Sequence, residues 1–223
     1  MRRECRGILL ILVTGCLLMA IIDGIWQPGY AVKSVWKIVI FLGVPVLYSL
    51  KNKDIRLIEV FSVKRKGMVT SILIGIGVYA FILACYFTIG SYFDFSKVTD
   101  ALSEGVGVTK DNFIFVAIYI SFINSLLEEF FFRGFVFLNL SRLADRKFAY
   151  IVSSFAFSVY HAAIMTGWFS VWLFALLLFS LMAAGIIFNR LNEKQGNIYT
   201  SWFVHMFANF AINTVGVILF KII

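Results

Sequence analysis

Four ionisable side chains in the second half of the chain have the types that hydrolytic chemistry requires. Glu128 and Glu129 are adjacent in a strongly apolar run, and His161 and His205 are the only histidines among 223 residues. A carboxylate inside an apolar span is costly unless it is paired or faces a wet cavity. A carboxylate in such a cavity can exchange a proton with water and act as a general base, so these residues are candidates for an amide-hydrolysing site.

The spacing around the two glutamates separates their roles. Glu129 and Arg133 are four residues apart on a predicted helix, with the glutamate first, which is the better orientation for an ion pair. Glu128 lies about 100° further around the helix and is left without that partner. It is therefore the candidate base. The alternative is a buried network of both glutamates and Arg133 that only fixes helix packing.

A second pair lies on the last apolar segment. His205 and Asn209 are four residues apart, so their side chains project from one helix face. An imidazole and a carboxamide that point at one small volume can stabilise the oxyanion of an attacked amide, while Glu128 and His161 polarise a water from the opposite side. The alternative is an ordinary interhelical hydrogen bond that also involves Asn213 and Thr214.

The elements that carry these residues are predicted to be membrane-spanning helices. The chain is 61% apolar and 14% charged, whereas soluble domains are about 45–50% apolar. The fold class is all-α, a polytopic transmembrane helix bundle of about seven helices, because the runs are continuously apolar rather than alternating. The predicted spans are 7–26, 34–50, 68–90, 112–138, 148–165, 169–188 and 198–220.

The basic residues indicate orientation. The chain has 20 Lys and Arg, and fourteen of them fall in 1–6, 51–67, 139–147 and 189–197, which alternate spans place on one side. Positive loops face the cytoplasm, so the N-terminus is predicted to be cytoplasmic and the protein a multi-pass protein of the cell membrane. Because these charges lie in short loops, nucleic acid is not an expected partner.

Two further predictions concern organisation. Residues 1–111 are expected to form about three N-terminal spans, and residues 112–223 a catalytic core of about four. Counted at ~1.5 Å per residue from the cytoplasmic helix ends, Glu128, His161 and His205 fall within about 10 Å in depth. That depth is the middle to cytoplasmic half of the bilayer.

The three motifs together resemble a known family. Glu128-Glu129-x-x-x-Arg133, then Phe157-x-x-x-His161, then His205-x-x-x-Asn209 match in order and type the motifs of the CAAX-protease and bacteriocin-processing (CPBP, or Abi) family, over about 112–215. The resemblance implies an intramembrane endopeptidase. It implies that Glu128 and His161 activate water, that His205 and Asn209 form the oxyanion site, and that Glu129, Arg133 and Phe157 support them.

The resemblance leaves the cofactor open. Family members are commonly called metalloproteases, and Glu128, His161 and His205 are the residues that would ligate a divalent metal such as zinc. The alternative is a metal-free water activated by the glutamate. The carboxamide of Asn209 is a poor zinc ligand and a good oxyanion donor, which favours the metal-free scheme.

The expected partners are the lipid bilayer and a membrane-associated peptide or protein substrate, either a prenylated CAAX-type protein or a secreted, bacteriocin-like peptide. Two other functions compete: a membrane scaffold or immunity protein that keeps the fold without cleaving, and an ion-coupled transporter. The sequence does not determine the oligomeric state.

Overall fold

The computed structural model describes residues 2–63 and 65–223 of the chain, without the side chains of residues 65 and 66. Within those residues it is all-helical, and seven helices are long and apolar enough to span a membrane, which confirms the predicted fold class. They are α1 (Arg3–Trp26), α2 (Tyr30–Lys51), α3 (Gly67–Tyr92), α4 (Phe113–Leu143), α5 (Arg146–Met165), α6 (Val171–Gln195) and α7 (Tyr199–Leu219).

Successive spans alternate in direction in the predicted topology, so the connections fall into two sets. We call the end that carries segments 52–63, 144–145 and 196–198 the inner end, because the predicted topology makes it cytoplasmic. The other end, with segments 27–29, 93–112 and 166–170, is the outer end. Segment 93–112 is the longest of the outer connections and contains a short helix, Ser96–Asp100.

Helix α4 forms the centre of the bundle, because its inner half is mostly apolar and is packed on every side. Six apolar residues of this half are at most 2% exposed: Phe130, Phe131, Phe132, Phe135, Val136 and Phe137. Phe131 stacks on Phe41 of α2 with ring centroids 4.2 Å apart. The core therefore joins the N-terminal helices directly to the helix that carries both glutamates.

The inner half of α4 is wound more widely than an α-helix. Residues Glu129–Phe137 are π-helical, a form with i to i+5 hydrogen bonds that is frequent at functional sites. Side chains provide further donors for its carbonyl groups: Asn139 donates to the carbonyls of Gly134 and Phe135, at 3.1 and 3.0 Å. Ser153 of α5 donates to the carbonyl of Phe132 at 2.9 Å.

Small residues allow two helices to approach closely beside the site. An added Cβ on Gly185 of α6 would lie 3.0 Å from Cα and Cβ of Ser154 on α5. Membrane helices use such small residues because lipid gives no hydrophobic drive for association, so tight packing must supply it. This contact holds α5, the helix that carries His161, close against α6.

The remaining helix, α3, packs on α7, where the hydroxyls of Tyr79 and Thr214 lie 3.2 Å apart. Most of its apolar side chains face outwards. Large apolar residues are exposed around the whole bundle, including Leu10, Phe81, Phe115 and Phe179, each at least 65% exposed. Such a surface is suited to lipid rather than to water.

A folded segment covers the inner end. In segment 52–63, Ile55, Leu57 and Val60 are buried. The amide of Arg56 donates to the side chain of Asn139 at 2.9 Å, and the amide of Ile198 donates to the carbonyl of Val60 at 3.0 Å. This segment therefore closes the bundle below α4 and α7.

Candidate active site

Glu128 lies halfway along α4 and is 2% exposed. Its two carboxylate oxygens have different surroundings. Oε1 accepts a hydrogen bond from Lys37 Nζ at 2.5 Å and another from the Asn124 amide at 3.0 Å. Oε2 has no hydrogen-bond partner within the described part of the chain. One oxygen is thus fixed, and the other is available to a ligand or water.

Lys37 reaches this carboxylate from α2. Its ammonium also donates to Asn124 Oδ1 at 2.5 Å and lies 5.0 Å from the ring centroid of Tyr160. The side chains of Lys37 and Glu128 are only 4% and 3% exposed. A buried carboxylate needs such a partner, because taking a single charge out of water costs several kcal/mol.

The two histidines face the free oxygen of Glu128. Nε2 of His161 on α5 lies 3.6 Å from Oε2, and Nε2 of His205 on α7 lies 3.7 Å from it. Three helices therefore bring the glutamate and both imidazoles together, as the motif spacing predicts. These separations exceed a direct hydrogen bond and allow a water to bridge at about 2.8 Å.

The hydrogen-bond partners of the two Nδ1 atoms show which nitrogen of each histidine ring carries the hydrogen. Nδ1 of His161 lies 2.7 Å from the carbonyl oxygen of Phe157, which only accepts, so Nδ1 carries the hydrogen. Nδ1 of His205 lies 2.9 Å from Glu129 Oε1 and donates to that carboxylate. In the neutral form of each ring, Nε2 then presents a lone pair to the site.

Glu129 is turned away from the cavity and is fully buried. It accepts from Arg133 Nη1 at 3.1 Å, as the i, i+4 spacing predicts, and from Ser201 Oγ at 2.5 Å in addition to His205. Asn192 of α6 in turn donates to Ser201 Oγ at 2.6 Å. Glu129 thereby connects α4 to α6 and α7 and fixes the His205 ring.

Arg133 and Phe157 lie behind the site. The Arg133 guanidinium carbon is 3.9 Å from the ring centroid of Phe157 and 5.0 Å from that of Phe188. A desolvated guanidinium over aromatic faces gains about 2 kcal/mol or more. The Phe157 ring also contacts both imidazoles edge-on, at centroid distances of 4.7 and 5.9 Å. These contacts limit the movement of the histidines.

Asn209 lines the same cavity one turn beyond His205 and is 9% exposed. Its Nδ2 donates to the carbonyl of Ile120 on α4 at 3.2 Å. A carboxamide nitrogen has two hydrogens, so one remains for another acceptor. Asn213, on the next turn, also lines the cavity. Its Nδ2 donates to the carbonyl of Ala117 and to the hydroxyl of Ser121, so both hydrogens are used in the helix seam.

The cavity in front of Glu128 has a volume of about 300 Å³. It is lined by residues from the outer end of α2, α4, α5 and α7, down to Lys37, Glu128, Tyr160 and His205. The cavity therefore opens towards the outer end, while Glu128 itself lies halfway along α4. The predicted depth of the three residues stays a prediction.

The same residues can be tested as a metal site. Two imidazole lone pairs and a carboxylate oxygen are suitable ligands for zinc. However, no group of three His, Cys, Asp or Glu in the described chain has an arrangement that holds a metal ion. The Lys37 ammonium also already neutralises Glu128 at 2.5 Å. The arrangement does not fit a metal, and the metal-free scheme that the sequence favours stays a prediction.

Sequence reasoning missed three contributors to the site. Lys37 was not among the predicted site residues, although a lysine inside an apolar span is itself a signal. Asn124 lies four residues before Glu128 on the same helix face, a spacing that identifies a neighbour. Ser201 carried no signal, because small polar residues are common in membrane helices.

The motifs and the geometry agree with a comparison against known families. Residues 110–211 match the family described as Rce1-like: type II CAAX prenyl endopeptidase Rce1-like. This segment is similar to that family. The match spans all three motifs, from Glu128 to Asn209, and confirms the resemblance to the CAAX-protease family. Lys37 lies outside the Rce1-like segment. No curated protein and no solved structure matches the chain.

Proposed function

We propose that the protein is an intramembrane endopeptidase that hydrolyses a peptide bond of a membrane-associated substrate. One observation carries the proposal. The free oxygen of Glu128 faces Nε2 of both histidines, at 3.6 and 3.7 Å, in a cavity lined mainly by apolar residues. A water held there has a base and two imidazoles within reach.

The reaction uses the chain's own groups. Glu128 Oε2 removes a proton from water as the water oxygen attacks the scissile carbonyl carbon, with His161 Nε2 orienting the water. Asn209 donates its free N–H to the developing oxyanion. His205, whose ring is oriented by Glu129, is a second donor when its Nε2 carries a hydrogen. Glu128 then passes its proton to the leaving nitrogen as the carbon–nitrogen bond breaks.

Lys37 has a positioning role in this scheme. Its two short hydrogen bonds fix Oε1 and leave Oε2 directed at the histidines. The mechanism needs an anionic Glu128 in a buried place, and an adjacent ammonium favours that form. No step passes through a metal.

A transporter is a weaker interpretation, because a transported ion needs access from both sides of the membrane. Below Glu128 the path meets Phe131, Phe132 and Phe135, which have no exposed surface, and then the buried side chains of segment 52–63. This packing supports a site that is open towards one end only.

Purified protein in detergent, incubated with fluorogenic peptides in prenylated and unprenylated forms, tests the proposal. Wild type and the control Glu104→Gln, which changes an exposed carboxylate outside the cavity, are expected to cleave. Glu128→Gln is expected to be inactive yet folded. A chelator that abolishes wild-type cleavage would establish metal dependence. Equal activity of Glu128→Gln and wild type would leave the scaffold or immunity function as the better explanation.

A further inference from the structure

A second cavity adjoins the active-site cavity at the outer end of the bundle. Its volume is about 390 Å³, and its lining includes Asp23, Gln27, Lys97 and Thr166 from three outer connections and helix ends. We call it the outer vestibule. Five residues line both cavities and so form the passage between them: Lys33, Leu102, Val106, Ile164 and Trp168.

The inner end offers no such passage in the described residues. Every residue of α4 that lines the active-site cavity lies between Phe113 and Glu128, and none lies beyond it. Below this level Phe41 and Phe131 stack at 4.2 Å. Segment 52–63 then covers the helix ends with its buried residues Ile55, Leu57 and Val60, and the amide of Ile198 donates to the carbonyl of Val60.

The charges indicate which membrane side each end faces. Six basic residues lie in 51–67 and only Lys97 and Lys110 in 93–112, where four acidic residues are present: Asp94, Asp100, Glu104 and Asp111. Lys and Arg accumulate in cytoplasmic loops. The end with the vestibule is therefore the non-cytoplasmic end.

From these observations, and resting on the proposed endopeptidase function, we infer that substrate reaches Glu128 from the non-cytoplasmic side through the outer vestibule. The substrate class is then a polypeptide segment presented at the outer membrane surface, such as an exported peptide, and not a prenylated protein that stays in the cytoplasm.

The residues that line the passage and the active-site cavity also indicate which kind of substrate side chain would bind there. The passage and cavity walls are mostly apolar, with Leu102, Val106, Phe113, Val116 and Ile120 among them. The charged entrance residues Asp23 and Lys33 form an ion pair at 2.5 Å that cancels their charges. An uncharged, apolar side chain next to the scissile bond is therefore the favoured occupant.

Thiol labelling from a defined side tests this inference. In a background with Cys5, Cys16 and Cys85 replaced by alanine, Val106→Cys introduces a thiol into the passage. Thr109→Cys is the matched control, exposed three residues away and outside both cavities. Lys53→Cys, exposed at the inner end, reports vesicle orientation. The probe is a bulky, membrane-impermeant maleimide added to sealed right-side-out or inside-out vesicles.

In right-side-out vesicles we expect both outer cysteines to react and Lys53→Cys to be protected. Labelling should abolish cleavage of an externally added peptide for Val106→Cys and leave Thr109→Cys active. Reaction of the outer cysteines only in inside-out vesicles would overturn the inference, as would full activity of labelled Val106→Cys. Either result leaves the proposed function standing, because Glu128-dependent cleavage in detergent is measured separately.

Discussion

The two carboxylate oxygens of Glu128 have different roles: one is held by neighbouring side chains, and the other is free to act as a base. Lys37 and Asn124 hold Oε1, whereas Oε2 faces the two histidines. Replacing the carboxylate by an amide keeps the shape and removes the base. We expect Glu128→Gln to lower kcat by about 10²–10⁴-fold, the usual contribution of general acid–base catalysis. Peptide cleavage and thermal unfolding, measured together, separate this loss from misfolding.

The oxyanion role of Asn209 makes a different prediction. We expect Asn209→Ala to lower kcat by about 10²–10³-fold with a small change in KM, because a donor to the oxyanion acts mainly in the transition state. Asn213→Ala is the control, since Asn213 lies one turn further along and bonds to Ser121 in the helix seam. A larger effect of Asn213→Ala than of Asn209→Ala on kcat would contradict the assignment.

Lys37 gives a third prediction. Lys37→Met leaves Glu128 buried without its ammonium, and breaking a buried ion pair from one side costs about 3–5 kcal/mol. We expect lower thermal stability in detergent and loss of cleavage. The matched control is Lys33→Met, one turn earlier on α2, which breaks the ion pair with Asp23 and leaves Glu128 paired. Both variants break an ion pair with a buried carboxylate, so cleavage is the deciding measurement. Equal activity of the two variants would remove Lys37 from the site.

The residues of the three motifs could be predicted because each carries a signal in one short segment. The i, i+4 spacing of Glu129 and Arg133 predicts their ion pair, and the histidines are noticeable because the chain has only two. Lys37 could not be connected to Glu128 in this way. The two residues are 91 positions apart in the chain and are brought together by the packing of α2 against α4, which no local pattern encodes.

At the scale of the helices, α4 combines two tasks in one span. Its outer half lines the cavity, and its π-helical inner half is the core. Hydropathy predicted its existence but not its length, because Asn139 and Arg142 end the apolar run while the helix continues to Leu143. Those polar groups are satisfied within the protein, where Arg142 bonds to Asn139 at 2.9 Å and to the carbonyl of Asp54.

Close helix contact at Gly185 supplies a prediction for the elements. In Gly185→Ala the new Cβ would press on Ser154 at 3.0 Å, and overpacking of this kind costs about 1–3 kcal/mol. We expect a lower unfolding temperature and weaker cleavage as α5 shifts with His161. Gly77→Ala in α3, where nothing lies within 4 Å, should be neutral or slightly stabilising. An equal response of both variants would exclude a special contact at Gly185.

At the scale of the whole molecule, the contacts between α2 and α4 allow a test of the predicted division into N-terminal spans (1–111) and a catalytic core (112–223). Lys37 and Phe41 of α2 contact Glu128 and Phe131 of α4, so the N-terminal spans complete the site. We expect a chain of residues 112–223 alone to lack cleavage activity. Co-expression with residues 1–111 as a separate chain should restore activity in membranes, and cleavage by the shorter chain alone would establish it as an independent catalytic core.

Seven spans and the clustering of the motifs followed from the sequence because both depend on composition and order along the chain. The side on which the cavity opens did not. It depends on the cover over the inner end, where Ile55 and Val60 pack under α4 and α7. A short loop of mixed composition looks like an ordinary connection until its burial is known.

The pairing of Lys37 with Glu128 also bears on how the protein is made. A single charged residue at the centre of a span adds about 2.5–3.5 kcal/mol to the free energy of its insertion by the translocon, and α4 contains Glu128, Glu129 and Arg133. Glu129 and Arg133 neutralise each other within α4, and the ammonium that matches Glu128 is on a helix synthesised earlier. We therefore expect α4 to leave the translocon in association with α2, with biogenesis of the membrane protein depending on a residue whose mature role is at the site.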